Sequence, residues 1–355
     1  MQITHLEKIT IIIFSYNRQK YLRRAIKYWS NYNVKLVILD GSNSKLDDKY
    51  IDSKNLKYVH DPRSLYDRLL VSINYIETEF MILGCDDEFY LPSALSSCIG
   101  FLIKDSNYSS CGGRALAFSQ TDNNFFLGKQ CYPKLKDLKV DCDNSIERIK
   151  KHFSNYVPSH LYSVNRSSNW KIICKYVFVK EYNFFAAWEL QIEFLVLAAG
   201  KSKIIPELLW MRNRGEPSIR TKNNQKVKNY IHNWWYDNNK NNEKLDFLNC
   251  MRDACKELST EANIFNQNII SNLFETYINN RSFIKRSLLK YNVLGLLEMK
   301  FFSLKEKLNK NLLLKKNKND KDFFEEAKKL ESESVLVNYE DINYMFSIIQ
   351  NEKKN

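Results

Sequence analysis

No apolar run in this chain approaches the ~20 residues that a helix needs to cross a bilayer, so no membrane-spanning helix is expected. The N-terminal MQITHLEKITIIIFSYNR has no basic leader, and its apolar run, Ile9 to Phe14, is too short and too β-branched for a signal-peptide core. A cytoplasmic protein is the expectation. Paired cysteines are missing too. The eight, at 85, 98, 111, 131, 142, 174, 250 and 255, never fall into the C-x-x-C spacing of a zinc knuckle or redox site, and they read as reduced, mostly buried thiols. Histidine is scarce: five in all, with no H-E-x-x-H, argue against a histidine-rich zinc centre. Negative charge is in deficit. The net charge of +13 and pI near 9.1 admit nucleic acid, an anionic membrane surface or a phosphorylated substrate as partner, without choosing among them.

What is present is the material of a folded protein. Hydrophobic residues make up 44% and charged residues 27%, which excludes wholesale disorder, and 355 residues suffice for one large domain plus a smaller one, or two. KITIIIF (8 to 14) is a continuous β-branched run suited to a strand buried on both faces, and YLRRAIKYW puts Tyr21, Leu22, Ala25, Ile26 and Trp29 on one helical stripe. VKLVILD (34 to 40) and LKYVH (56 to 60) read as strands, followed by a helix in which Leu65, Leu69, Ile73 and Ile76 share a face. EFMILG (79 to 84) is a strand and PSALSSCIGFLI (92 to 103) a helix with proline in its first turn. This order predicts an α/β sheet with mainly parallel strands, whose ligands bind beyond the carboxyl ends of the strands. Residues 106 to 150 read as loops and short strands, and SHLYSVNR (159 to 166) as a strand. AAWELQIEFLVLAAG (186 to 200) is a helix with Gly200 as its C-terminal cap, and KSKIIPELLWMRNRG follows as strand and loop. From about 221 the texture turns to Asn-, Lys- and Leu-rich helices.

One stretch raises a chemical question. In FMILGCDDEFYLPSAL (80 to 95) an apolar strand runs straight into Asp86, Asp87 and Glu88. Three adjacent carboxylates repel one another, so something positive should meet them. They could serve the positive N-terminus of the helix opening at Pro92, but helix capping explains one acid and not three.

ITIIIFSYNRQKYLRRAI, VILDGSNS and MILGCDDEFYLPSAL, in that order, resemble the N-terminal half of a glycosyltransferase family 2-type enzyme with the GT-A fold, over about residues 8 to 104 and more weakly to about 220. The resemblance implies a GT-A-like catalytic domain over 1–220 and a mainly helical, basic extension over 221–355. It also implies metal-dependent transfer of a sugar, with inversion, from a nucleoside diphosphate donor to a saccharide or lipid-linked saccharide, as in surface polysaccharide or lipopolysaccharide synthesis. In such enzymes a carboxylate-held Mn²⁺ or Mg²⁺ neutralises the diphosphate as its bond to the sugar breaks. Asp87 is then the metal ligand and Asp86 the partner of ribose or metal, while Cys85 stands where many relatives carry Asp. Ser15, Tyr16 and Asn17 would shape the base pocket, with Arg18 only opening the helix; Asp40 would accept hydrogen bonds from the nucleoside, and Arg63 would meet the nucleotide or diphosphate. Taken alone, Asp40 with Gly41 and Ser42 fits an Asx-turn equally well, and Arg63 fits a solvated arginine.

Inversion needs a general base for the acceptor hydroxyl. In relatives it belongs to an E-D motif heading a helix that ends in glycine; counting back from Gly200 puts Trp188 and Glu189 at those positions. Glu189 is therefore the implied base. Glu193, one turn on, is the reserve, and by itself reads as a solvated helix acid. Arg212, Arg214 and Arg220 of WMRNRGEPSIR would fold over the diphosphate, or else belong to a charged surface loop. His160 could touch the acceptor, although a lone histidine between apolar-leaning segments is more often structural. The basic stretch 281 to 318 suits one or two amphipathic helices lying on an anionic membrane at its inner face, or equally a helical subdomain or oligomer interface. Two rival readings stay open. A sugar nucleotidyltransferase normally carries a Gly-rich basic loop after its first strand, where SYNRQK has no glycine. A non-catalytic basic module would bind nucleic acid or anionic membrane through the C-terminal half. On the main reading no nucleic acid is expected.

Overall fold

The computed structural model describes residues 4–121, 125–184, 186–214, 231–290 and 321–351. Its strands are β1 (Ile9–Ser15), β2 (Lys35–Asp40), β3 (Leu56–His60), β4 (Phe80–Cys85), β5 (Phe89–Tyr90), β6 (Tyr108–Gln120), β7 (Phe126–Gln130), β8 (Lys139–Val140), β9 (Val164–Arg166), β10 (Lys201–Asn213) and β11 (Lys321–Asp322). They form one sheet in the order β11-β7-β6-β9-β4-β1-β2-β3, with β10 alongside β6. The long ladders β3-β2, β2-β1, β1-β4 and β10-β6 are parallel, while β9 runs antiparallel between β4 and β6. This is the α/β architecture with a mainly parallel sheet that the order of elements implied. The helices α1 (Gln19–Trp29), α2 (Leu65–Val71), α3 (Pro92–Lys104), α4 (Ser145–Ser154), α5 (Ser167–Val177) and α6 (Ala187–Ala199) cover its faces.

The apolar runs explain the central strands. β1 is buried almost throughout, so its isoleucines supply both cores: Ile11 and Ile13 face one, and Ile12 faces the other. Register then places function. Ser15 pairs with Asp40 and Phe14 with Cys85, so the loops leaving β1, β2 and β4 open at one edge of the sheet.

The helical C-terminal part divides between the two cores. Helices α7 (Ile231–Trp235), α8 (Asn241–Leu258) and α9 (Gln267–Lys290) join α4, α5 and α6, with Trp235, Phe247 and Phe274 among their largest buried side chains. The segment 321–351 returns to the opposite core through β11, α10 (Phe323–Ser332) and α11 (Tyr339–Asn351). There Phe346 stacks on Phe126 at 3.6 Å and Tyr344 on Tyr28 at 5.7 Å. Asp341 accepts from the backbone N–H and the hydroxyl of Ser93, at 2.9 and 2.6 Å, serving the first turn of α3 from across the fold. Among the described residues no helix is long and apolar enough to cross a membrane. Of the basic stretch 281–318, residues 281–290 form the end of α9, and residues 291–318 lie outside the described residues, as does Arg220.

Three sequence expectations change. Residues 108–120 form a long strand, not loops and short strands. YSSCGGRALAFSQ lacks the β-branched signal because β6 is crowded: a Cβ on Gly112 would lie 2.3 Å from Ser163 Oγ, and one on Gly113 2.5 Å from Leu209 Cβ. Only 164–166 of SHLYSVNR is strand, preceded by a 3₁₀ turn over His160–Tyr162. Gly200 ends α6 with extended backbone (φ 172°) in place of a left-handed cap; a side chain there would put Cβ 2.9 Å from the Asn107 carbonyl oxygen.

Candidate active site

The loop after β1 is sewn to the loop after β2. Asn17 adopts a left-handed conformation (φ 52°), which asparagine tolerates. Its N–H donates to Ser42 Oγ at 2.8 Å and its side-chain oxygen accepts from Asn43 N at 3.0 Å. Tyr16 stands out, 53% exposed, at the rim. Asp40 is wholly buried; Oδ1 accepts from Ser42 N (2.9 Å) and from the Ser42 hydroxyl, and Oδ2 from Tyr58 (2.6 Å). This is the Asx-turn of a strand exit, the alternative that Gly41 and Ser42 had left open. Arg63 is also placed differently: it is an exposed partner of Asp61, at 2.5 Å. The buried arginine nearby is Arg68, which the sequence reading missed. It donates to the carbonyls of Ser15 (2.7 Å) and Leu39 (3.0 Å), tying the ends of β1 and β2, and Gly41 lets it pass.

The acidic triplet meets its positive charge. Arg18 places Nη1 2.9 Å from Asp86 Oδ1 and Nη2 2.6 Å from Asp87 Oδ2, so the residue expected only to open α1 bridges the two acids. Asp86 is 2% exposed, and its other oxygen accepts from the Ser15 hydroxyl at 2.6 Å. Both its oxygens already have protein partners, Ser15 and Arg18, so Asp87 is the more open of the two acids toward a metal or ribose. Asp87 engages Arg18 through Oδ2 and keeps 15% exposure. Burial pushes the Asp86 carboxyl up to about 7 against the opposing Arg18 charge. Glu88, raised to about 7 by burial and the neighbouring Asp87, accepts from Trp210 Nε1 at 2.8 Å and faces Arg212 at 3.8 Å.

An aromatic wall completes the cleft. Trp210 of β10 stacks against Tyr162 (3.9 Å) and Tyr132 (5.1 Å), and Arg212 lies over the Tyr132 ring and donates to its hydroxyl. Arg214 is exposed just beyond β10, its backbone N–H on Phe118 O. Glu189, in the first turn of α6, lies close enough to Tyr132 and Tyr162 to reinforce the upward pKa shift that burial gives both phenols. The structure thus brings Ser15, Arg18, Asp86, Asp87, Glu88, Trp210, Arg212 and Glu189 to one region. Neither Tyr132 nor Tyr162 carries a sequence signal for this. Glu193 is corrected as well: far from solvated, it is wholly buried between His152 and His160. It cannot meet an acceptor.

No protein-family model matches the chain, and no curated protein matches it. Solved structures of S. aureus TarS are similar to it. For residues 1–349 of TarS the identity is 12% and the TM-score 0.41, covering 77% of this chain and 91% of that one. For a longer TarS chain the identity is also 12% and the TM-score 0.42, covering 77% of this chain and 54% of that one. A complex of TarS 1–349 with UDP-GlcNAc aligns at 11% identity and TM-score 0.41, over 80% and 92% of the two chains.

Proposed function

We propose that this chain is an inverting glycosyltransferase that moves a sugar from a nucleoside diphosphate donor to a saccharide or lipid-linked saccharide in the cytoplasm, for surface polysaccharide or lipopolysaccharide synthesis. One observation carries the reading. At the carboxyl edge of the parallel strands, a carboxylate pair already holding a cationic group faces an aromatic wall next to the head of α6, where Glu189 sits.

The carboxylate pair fits a divalent ion. Asp86 and Asp87 converge on one guanidinium, and Mg²⁺-like ions are commonly held by one or two carboxylates together with water and substrate phosphate. Asp87, the more open of the two, would hold Mn²⁺ or Mg²⁺; Asp86, engaged by Ser15 and Arg18, would orient it. Such an ion supplies Lewis-acid neutralisation of the diphosphate. The residues do the rest. Tyr16 and the Asn17–Ser42 seam frame the base, Arg212 and Arg214 offer planar donors to phosphate oxygens, and Glu189 takes the proton of the acceptor hydroxyl as it attacks opposite the leaving group. The basic stretch 281–318 would hold the enzyme at an anionic membrane carrying a lipid-linked acceptor.

Thermal-shift titration with nucleoside diphosphates and their sugars, with and without Mn²⁺, tests this, since a ligand that binds only the folded state raises its stability by RT ln(1 + [L]/Kd). At least one donor should stabilise the protein, more strongly with the metal. No shift with any nucleotide would overturn the reading.

A further inference from the structure

Behind the cleft lies a polar cluster wholly buried in the second core: His152 on α4, His160, and Glu193 on α6. The Glu193 carboxylate accepts five hydrogen bonds, the longest from the Ser159 hydroxyl to Oε2 at 3.5 Å. Backbone N–H groups of Ser159 and Leu161 donate to Oε1 at 3.0 and 3.2 Å, while His152 Nε2 and His160 Nδ1 reach Oε2 at 2.9 and 2.6 Å. An ionised carboxylate only accepts, so His152 carries its proton on Nε2 and His160 on Nδ1. The far ring nitrogens, His152 Nδ1 and His160 Nε2, have no partner. Burial pushes the His152 pKa down; it also opposes the Glu193 charge, but His160 and the hydrogen bonds from both imidazoles outweigh it and hold Glu193 well below the usual carboxylate range.

Three ligating side chains this close also invite a metal reading. Zinc ligands about 2.0–2.2 Å from the ion stand roughly 3.4 Å apart in a tetrahedron, and their second ring nitrogens normally donate to an acceptor. Here the donor spacings are 2.6 and 2.9 Å and the second nitrogens are alone, so the cluster has the geometry of hydrogen bonds.

We infer that Glu193, through His152 and His160, is a positioning residue that fixes the aromatic wall of the cleft to the helix bearing Glu189. The turn it grips, Ser159 to Leu161, leads directly into Tyr162, whose ring stacks on Trp210; Trp210 in turn holds Glu88 beside Asp87. Glu189 lies one turn earlier on α6. One buried carboxylate therefore sets the distance between wall and base. The catalytic meaning of that distance rests on the glycosyltransferase reading.

The orphan nitrogens supply the test. Each histidine uses one ring position, so His160→Asn (N–H near Nδ1) and His152→Gln (N–H near Nε2) keep the bond, whereas His160→Gln and His152→Asn move it. All four are polar and similar in size. With folding confirmed by near-UV circular dichroism, the displaced pair should lose about 10²-fold in single-turnover transfer, the scale of a small misplacement. UDP affinity should stay within about twofold, and the matched pair should remain near wild type. Amide exchange at Ser159 and Leu161 should accelerate only in the displaced pair. Equal exchange in matched and displaced variants overturns the inference whatever the protein catalyses; so does equal transfer, or stoichiometric zinc in the purified wild type. Wild-type protein that binds no nucleotide would instead overturn the glycosyltransferase reading, with amide exchange still deciding the positioning role.

Discussion

Arg18→Ala takes away the guanidinium whose nitrogens lie 2.9 and 2.6 Å from Asp86 and Asp87. Removing one partner of a buried ion pair costs about 3–5 kcal/mol because it strands a charge. Arg18, 22% exposed, and Asp87, 15% exposed, keep some solvent screening, so the expected loss is about 2–3 kcal/mol at pH 8. Acid should shrink it. Asp86 has its folded pKa raised by burial to about 7, above its ordinary 3.8, so the folded state takes up the proton first and this group costs stability as pH rises through 7. Without Arg18, which lowers it, that pKa climbs further. The variant's deficit is therefore largest above pH 7 and smaller near pH 5, where Asp86 is protonated in both proteins. Urea unfolding of wild type and variant at the two pH values, with m unchanged, measures this. On the proposed reading Mn²⁺ should also stabilise the variant more than the wild type, because the guanidinium and a metal ion would compete for the Asp87 carboxylate. A deficit that is equal at both pH values, or below about 0.5 kcal/mol, would refute a buried cation-bridged acid pair.

Glu189→Gln should lower single-turnover transfer by about 10²- to 10⁴-fold while calorimetry finds donor affinity unchanged; wild-type turnover would remove Glu189 as the base. If the proposed function holds, Asp87→Ala should abolish the Mn²⁺-dependent part of nucleoside diphosphate binding, measured by titration calorimetry, and leave the circular dichroism spectrum intact. Asp341→Ala, which strips α3 of a capping acceptor supplied by α11, should cost about 1–2 kcal/mol in urea unfolding. Truncation before residue 321 should yield aggregated protein by size-exclusion chromatography, since it uncovers the apolar surface that Phe323 and Phe346 bury. A soluble, monomeric truncation would show that this segment is dispensable.

Local pattern was enough for much of the fold. The isoleucine run of β1, the apolar stripe of α1 and the proline opening α3 specify their elements through periodicity and backbone sterics, which act over a few residues, and the chain order of these elements implied the parallel sheet. The acidic triplet likewise announced that a positive partner was needed. Which partner it would be was a tertiary matter, because Arg18 reaches Asp87 across 69 residues of sequence and spacing along a chain carries no distance between separate elements. The same holds where sequence reasoning failed. β6 has no strand signal because its small residues answer to Ser163 and Leu209 packed against them, and Glu193 looked like a solvated helix acid until the fold closed two imidazoles and two backbone N–H groups around it. Elements were written locally; the neutralisation of buried charge, and with it the shape of the cleft, was decided only when distant segments packed together and excluded water.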